Sequence, residues 1–297
     1  MTATHEPRRG EPAGADISED VVRFGNADQL VGIISRPDRA TVTQGAPTVV
    51  ILNAGVIHRV GPHRLHVVLA RRLATLGLAT LRLDLGGIGD SVASSDATTF
   101  RDSAVADTRL ALGELGAKRY VIFGVCAGAD NALATALVDD RVAAVVLVDP
   151  YVYANRRGQL RAAIAKVRAL GPREAIVRGV RAAERIAKAK LAQRYARDPD
   201  EPDQAGGREA PPIATYRRDL GKLVARGVRV LAIYSGVHGA KYNAPDQLFE
   251  LFPELRGKID RAYFPHANHT FTELDVQREL VDTTADWIAT TFARFAT

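Results

Sequence analysis

The one cysteine of the chain, Cys126, stands in Gly124-Val125-Cys126-Ala127-Gly128, between an apolar run at 120–124 and an Ala-rich stretch with helical spacing at 129–137. A residue held where a strand turns abruptly into a helix occupies a strained backbone position, and flanking glycines avoid side-chain collisions there. The N–H groups and dipole that open the helix favour a thiolate. Such a thiolate could attack a carbonyl, with the backbone N–H of Ala127 offered to the oxyanion. The chemistry needs a base, and a late histidine pair, His266-Ala267-Asn268-His269-Thr270-Phe271, follows the last β-run. The five-residue pattern alone fits a buried structural cysteine equally well. A single cysteine can form no internal disulfide and no Cys-rich zinc site, which leaves core filler, surface accident or reactive thiol.

The elements that must position these groups read as an α/β chain. Segments 19–24 and 29–36 form two strands around a turn at 25–28. From residue 48, short continuous apolar runs alternate with helical stretches: 48–53, 65–76, 78–84, 100–115, 120–124, 129–137 and 142–149. Runs apolar on both faces belong to strands covered by helices in a parallel sheet. After Pro150 the alternation gives way to helical periodicity that ends in a Pro- and Gly-rich break at 199–212, and the sheet pattern resumes at 229–235, 247–252, 260–264 and 280–295. The expected organisation is a disordered leader (1–17), a core (18–150 and 227–297) and an inserted helical lid (151–226). The first sixteen residues lack the apolar segment of a secretory signal, and runs such as 142–148 fall far short of the roughly 20 residues a bilayer span needs. The expectation is a cytoplasmic protein with no membrane span.

A further motif, Asp84-Leu85-Gly86-Gly87-Ile88-Gly89-Asp90-Ser91, follows the 78–84 run. Together with the cysteine elbow and the late histidines it resembles the α/β-hydrolase superfamily, from about residue 49 to the C-terminus. The stretch Asn53-Ala-Gly-Val-Ile-His-Arg-Val-Gly-Pro-His-Arg-Leu-His66 is similar, more narrowly, to small bacterial hydrolases associated with exosortase systems, which also carry Cys in the elbow. The resemblance implies an α/β-hydrolase fold, a mostly parallel central sheet flanked by helices with an inserted lid. It further implies Cys126 as nucleophile and His269, the histidine followed by Thr-Phe, as general base; His266 is expected in a loop or the core. The turn after 48–53 should give a second oxyanion donor from the backbone of Gly55 or Val56, supported by Arg59, Gly61 and Arg64.

The acid departs from the family pattern. Relatives place Asp shortly after a Ser-Gly, whereas here the segment reads Ser235-Gly236-Val237-His238-Gly239. Either another carboxylate orients the histidine or the pair works as a dyad. Asp149, at the end of 142–149, is the preferred substitute, and Asp246 and Glu273 are further candidates. His238 and Tyr234 are expected to line the substrate pocket. Asp84, Gly87 and Gly89 read as fixing a turn, and Asp130 as stabilising the helix after the elbow. His58, His63 and His66 lack matching carboxylate or thiolate ligands in the sequence, so no metal and no cofactor is expected.

Between 156 and 197 there are thirteen Lys or Arg and two acids, Glu174 and Glu184, a net +11 against +6 for the whole chain. Such a segment is either a solvated helical face or a docking surface for an anionic partner, such as an acyl-carrier protein or a coenzyme A thioester. It lacks the interleaved aromatics of a nucleic-acid surface. Three functions remain: an acyl hydrolase (esterase or thioesterase) working through a cysteine acyl-enzyme, an acyltransferase using the same residues, and a non-catalytic binding protein of the same fold.

Overall fold

The computed structural model describes residues 17–25, 28–38, 42, 45–93, 99–171, 174, 177, 181 and 208–293. Residues 1–16 of the expected leader and 182–207 of the expected insertion lie outside them. The described strands are β1 (Ser18–Phe24), β2 (Leu30–Arg36), β3 (Thr48–Ile51), β4 (Thr80–Leu83), β5 (Tyr120–Val125), β6 (Val142–Val148), β7 (Arg229–Ser235) and β8 (Asp260–Phe264). They form one sheet in the order β1-β2-β4-β3-β5-β6-β7-β8. The β1–β2 and β2–β4 pairs are antiparallel, and every other pair is parallel. The helices are α1 (Leu65–Thr75), α2 (Phe100–Leu115), α3 (Ala127–Val138), α4 (Arg156–Leu170), α5 (Ile213–Ala225), α6 (Gln247–Leu251) and α7 (Leu274–Ala293). None is long and apolar enough to cross a membrane among the described residues.

The continuous apolar runs are explained by burial on both faces. Along β5, Tyr120 and Ile122 join one core while Val121, Phe123 and Val125 join the other. The first core is roofed by α2, α3 and α5 through Ala104, Leu112, Ala132, Ala136, Leu220 and Leu223. The second is covered by α1 and α7 through Leu65, Leu69, Leu73, Leu280, Ala285 and Ile288. A one-residue slip of β5 would exchange the two faces, and with about 1.5–3 kcal/mol at stake for each large buried side chain the register is held firmly. Residues 213–225 fall within the stretch assigned from sequence to the lid, yet Tyr216, Leu220 and Leu223 of α5 pack into the sheet's core. That helix is the crossover from β6 to β7 that a parallel pair requires. By contrast α4 buries only Gly158 and leaves Leu160, Ile164 and Val167 exposed.

The chain visits β3, moves outward to β4, then returns past β3 to β5. Ligands of open α/β sheets bind outside the carboxyl ends of the strands at such a reversal. The end of β5 is Val125, immediately before the cysteine.

Candidate active site

Cys126 lies at φ 56°, ψ −121°, between the last residue of β5 and the first of α3. This conformation is costly for a side chain, and its neighbours have no room for one. A Cβ on Gly124 would lie 2.1 Å from the Gly128 carbonyl oxygen, and one on Gly128 would lie 2.5 Å from the Asn53 carbonyl oxygen. The second contact seats the turn after β3 against the start of α3. In that turn Gly55 has φ +59° with open space about it, and Val56 is 85% exposed.

Asp84 holds the turn in place. It is fully buried and accepts from Asn53 Nδ2 at 2.9 Å, from the Arg59 N–H at 2.6 Å and from the Arg59 guanidinium. Asn53 in turn accepts from the Leu85 N–H at 2.8 Å, tying β3's exit to β4's. Arg59 also reaches Asp90, at 2.7 Å. His58 lies 3.6 Å from both Asp84 and Asp90, but the guanidinium already meets both carboxylates. Of the other two nearby histidines, His63 pairs with Thr272 at 3.2 Å, and His66 is buried edge-on to Phe123, its pKa pushed down to about 3 by burial. The three histidines face three different ways, so the segment is a scaffold for a turn.

Strand pairing sets Cys126 beside Asp149. Val125 is opposite Val148 and Val148 opposite Ile233; beyond them the Cys126 N–H donates to the Val148 carbonyl at 2.9 Å and the Asp149 N–H to the Ile233 carbonyl at 2.8 Å. Asp149 is fully buried, with φ 47°. Its Oδ2 lies 2.8 Å from His269 Nδ1 and accepts from the Ser235 hydroxyl at 2.7 Å; its Oδ1 accepts from the Ser235 N–H at 2.7 Å. His238 Nε2 lies 3.0 Å from Oδ1, but its N–H does not point along that line. Burial alone would raise the Asp149 carboxyl; its contacts with the two histidines and Ser235 outweigh burial and hold it well below the usual carboxylate range.

With Nδ1 turned to Asp149, the His269 ring lies within electrostatic reach of the sulfur. The hydrogen bond to Asp149, then that to Cys126, raises the imidazole to about 10 against the cost of burial. The same bond from His269 lowers the Cys126 thiol, burial opposing and the Arg208 charge assisting. Both shifts run in the direction that favours a thiolate beside an imidazolium.

Other residues singled out from sequence lie elsewhere. His266 is exposed. Asp246 is engaged by Arg256 and Arg261, and Glu273 is exposed just before α7. Tyr234 does not line an open surface: it is 1% exposed and stacked on Tyr242 at 3.9 Å within the core, because an inward position on β7 faces the helix layer. Asp130, read as a helix-stabilising residue, is also forked by Arg208 at 2.5 and 2.6 Å. Arg208 and Ser235 were missed. Ser235 had a signal in Gly236, where a Cβ would lie 2.0 Å from the Pro265 carbonyl oxygen, a closeness that brings the exits of β7 and β8 together. Arg208 had none. A separate groove of about 870 Å³, lined by Arg119, Arg141, Arg226, Arg229 and Trp287, opens at the other end of the sheet and shares no residue with this site.

A family model described as alpha/beta hydrolase fold matches residues 47–169. The structure is similar to an esterase of Pyrococcus furiosus, with TM-score 0.57 and 14% identity over 93% of this chain and 91% of that one. The fold is the α/β-hydrolase fold. Two further proteins of known structure are similar over the whole α/β-hydrolase core. One is a predicted CIB-like hydrolase of Thermoplasma acidophilum, with TM-score 0.55 and 12% identity over 93% of this chain and 100% of that one. The other is a proline iminopeptidase of Mycobacterium smegmatis, with TM-score 0.51 and 16% identity over 92% and 98%. A comparison with curated proteins finds no match. Cys126 stands at the turn between β5 and α3 of that fold.

Proposed function

We propose that the chain is an acyl hydrolase, an esterase or thioesterase, that works through an acyl-cysteine intermediate. The observation that carries this reading is the Asp149–His269 pair, 2.8 Å apart, set beside Cys126 at the strained strand–helix turn. The sulfur bonds to the acyl carbon, the carbonyl π-pair moves onto oxygen, and the oxyanion is received by the N–H of Ala127 and a donor from Gly55 or Val56. As the tetrahedral species collapses, the bond to the leaving oxygen or sulfur breaks and His269 supplies its proton. Water then gives a proton to His269 and its oxygen to the acyl carbon, and the C–S bond breaks with its electron pair on Cys126.

The intermediate is a thioester, which amines attack readily, so acyl transfer is the second reading of the same site. The net +11 of residues 156–197 supports an anionic acyl carrier, an acyl-carrier protein or coenzyme A, as the substrate's bearer. The esterase and iminopeptidase with this fold, and the likeness of residues 53–66 to exosortase-associated hydrolases with a cysteine elbow, agree with acyl chemistry. The non-catalytic reading drew on the lack of a carboxylate after β7; with Asp149 2.8 Å from His269, that lack carries no weight.

Intact-mass spectrometry after incubation with activated esters and acyl thioesters is the test. The expected result is an acyl mass on the wild type, absent from Cys126→Ala and slow to form on His269→Ala. Decay of that mass in water alone supports the hydrolase; decay only with an added amine supports the transferase. No adduct with any ester, and a Cys126 inert to iodoacetamide, would return the chain to the binding proteins.

A further inference from the structure

Arg208 stands where the chain re-enters the described core, and its guanidinium ends beside the nucleophile. Nη1 lies 3.9 Å from Cys126 Sγ and donates to the Asp149 carbonyl at 2.9 Å. Nε and Nη2 form a fork on the two oxygens of Asp130, at 2.5 and 2.6 Å, and the guanidinium carbon lies 4.7 Å from the centre of the Tyr151 ring. Asp130 is 6% exposed and sits on the first turn of α3. A salt bridge that merely anchored the returning chain would need only Asp130. The carbonyl and the ring add the rotation of the guanidinium plane, which fixes the direction in which Nη1 points.

Charged groups reach the sulfur from two sides. From the turn after β8 comes His269, backed by Asp149; from the returning stretch comes Arg208, backed by Asp130. His238 faces Asp149, and Asp84, Arg59 and Asp90 are bound to one another. The two cations differ in kind. His269 must give up its proton to the leaving group and take another from water, so its charge comes and goes during turnover. A guanidinium cannot be deprotonated at working pH.

We propose that Arg208 is a catalytic residue: a permanent cation, clamped by Asp130, that keeps Cys126 a thiolate at rest and receives the sulfur's charge when the acyl-enzyme breaks down. In that step the oxygen of water bonds to the acyl carbon, its proton passes to His269, and the C–S electron pair returns to Sγ beside Arg208. This role rests on the acyl-cysteine reading above.

Cys126 is the only cysteine, so the ultraviolet absorbance of thiolate, taken as the difference from Cys126→Ala, and the pH dependence of iodoacetamide alkylation report on it. Arg208→Gln is expected to raise the midpoint of both titrations by about one pH unit, a tenfold loss of alkylation rate below the midpoint. Arg208→Lys, charged but unable to form the fork, should move it about half as far. His269→Ala should raise it independently. If Arg208→Gln and Arg208→Lys both titrate as the wild type does while His269→Ala shifts, Arg208 is only an anchor and this inference falls, with the acyl-cysteine reading intact. Should Arg208→Gln fail to fold, Arg208→Met, which drops the charge and keeps the stem, replaces it, and an unshifted titration there overturns the inference. A wild type that titrates as an ordinary thiol and forms no acyl adduct overturns both.

Discussion

Asp149 turns both carboxylate oxygens toward four polar groups from β7, the turn after it and the turn after β8. Asp149→Asn keeps the shape but puts an amide where His269 needs an acceptor; kcat should fall about 10³–10⁴-fold, as measured in single-turnover deacylation. The thiolate–imidazolium pair also leaves a mark on stability. His269, raised to about 10, contributes stabilisation that is complete below the unfolded imidazole value of about 6.5 and lost as pH rises through about 10. Cys126, lowered, contributes stabilisation that is complete above the unfolded thiol value of about 8.5 and lost as pH falls through its folded pKa. Where the folded pair is thiolate and imidazolium it holds one proton, as the unfolded pair does between about 6.5 and 8.5, and there the site adds no slope to the thermal midpoint. Cys126→Ala removes only the thiol, and its midpoint should then decline with pH across that window relative to wild type. Parallel profiles in scanning calorimetry would contradict the ion pair.

Among the elements, the elbow depends on backbone meeting backbone. A side chain on Gly128 would have to push the Asn53 carbonyl away from α3, so Gly128→Ala is expected to cost about 2–4 kcal/mol in urea unfolding and to weaken acylation as the oxyanion turn is displaced. Asp84→Ala leaves the buried Arg59 guanidinium without its main partner and should cost about 3–5 kcal/mol. The elements themselves were legible where their pattern is local. Phe100–Leu115, Arg229–Ser235 and Asp260–Phe264 coincide with the sequence reading, and the remaining strands differ by a residue or two at their ends. The last helix begins at Leu274, six residues before the sequence reading, since 274–279 carry too few apolar residues to show a helical stripe. Residues 213–225, read from sequence as part of the inserted stretch, show why packing is harder to read than pattern. The periodicity of 213–225 is the same whether the helix covers a sheet or stands apart from it, and only the burial of Tyr216, Leu220 and Leu223 decides.

For the molecule as a whole, charge is unevenly placed: residues 156–197 carry net +11 of a chain total of +6. If an anionic carrier brings the acyl group, kcat/KM for a carrier-bound thioester should fall steeply between low and physiological salt while that for a small neutral ester stays nearly constant. Equal salt dependence for both substrates would remove the carrier from the account. Cys126 and His269 could be singled out from sequence as candidates because each sits in a short motif, and Asp149 because it ends a strand. Arg208 could not, since its placement comes from the folding back of a chain with no motif of its own, onto an aspartate 78 residues away.

Asp149's place at the end of β6 has one more consequence. Cys126 and Asp149 are carried by neighbouring parallel strands, so their separation is set by sheet hydrogen bonding rather than by the conformation of a connecting segment. The 3₁₀ turn Gly236–Lys241, the stretch where relatives carry the acid, supplies His238 to Asp149 but no carboxylate of its own. Residues 239–241 are thus open to insertion, exchange or randomisation without dismantling the triad. A library built there would reshape what reaches Cys126 while leaving the machinery that activates it untouched.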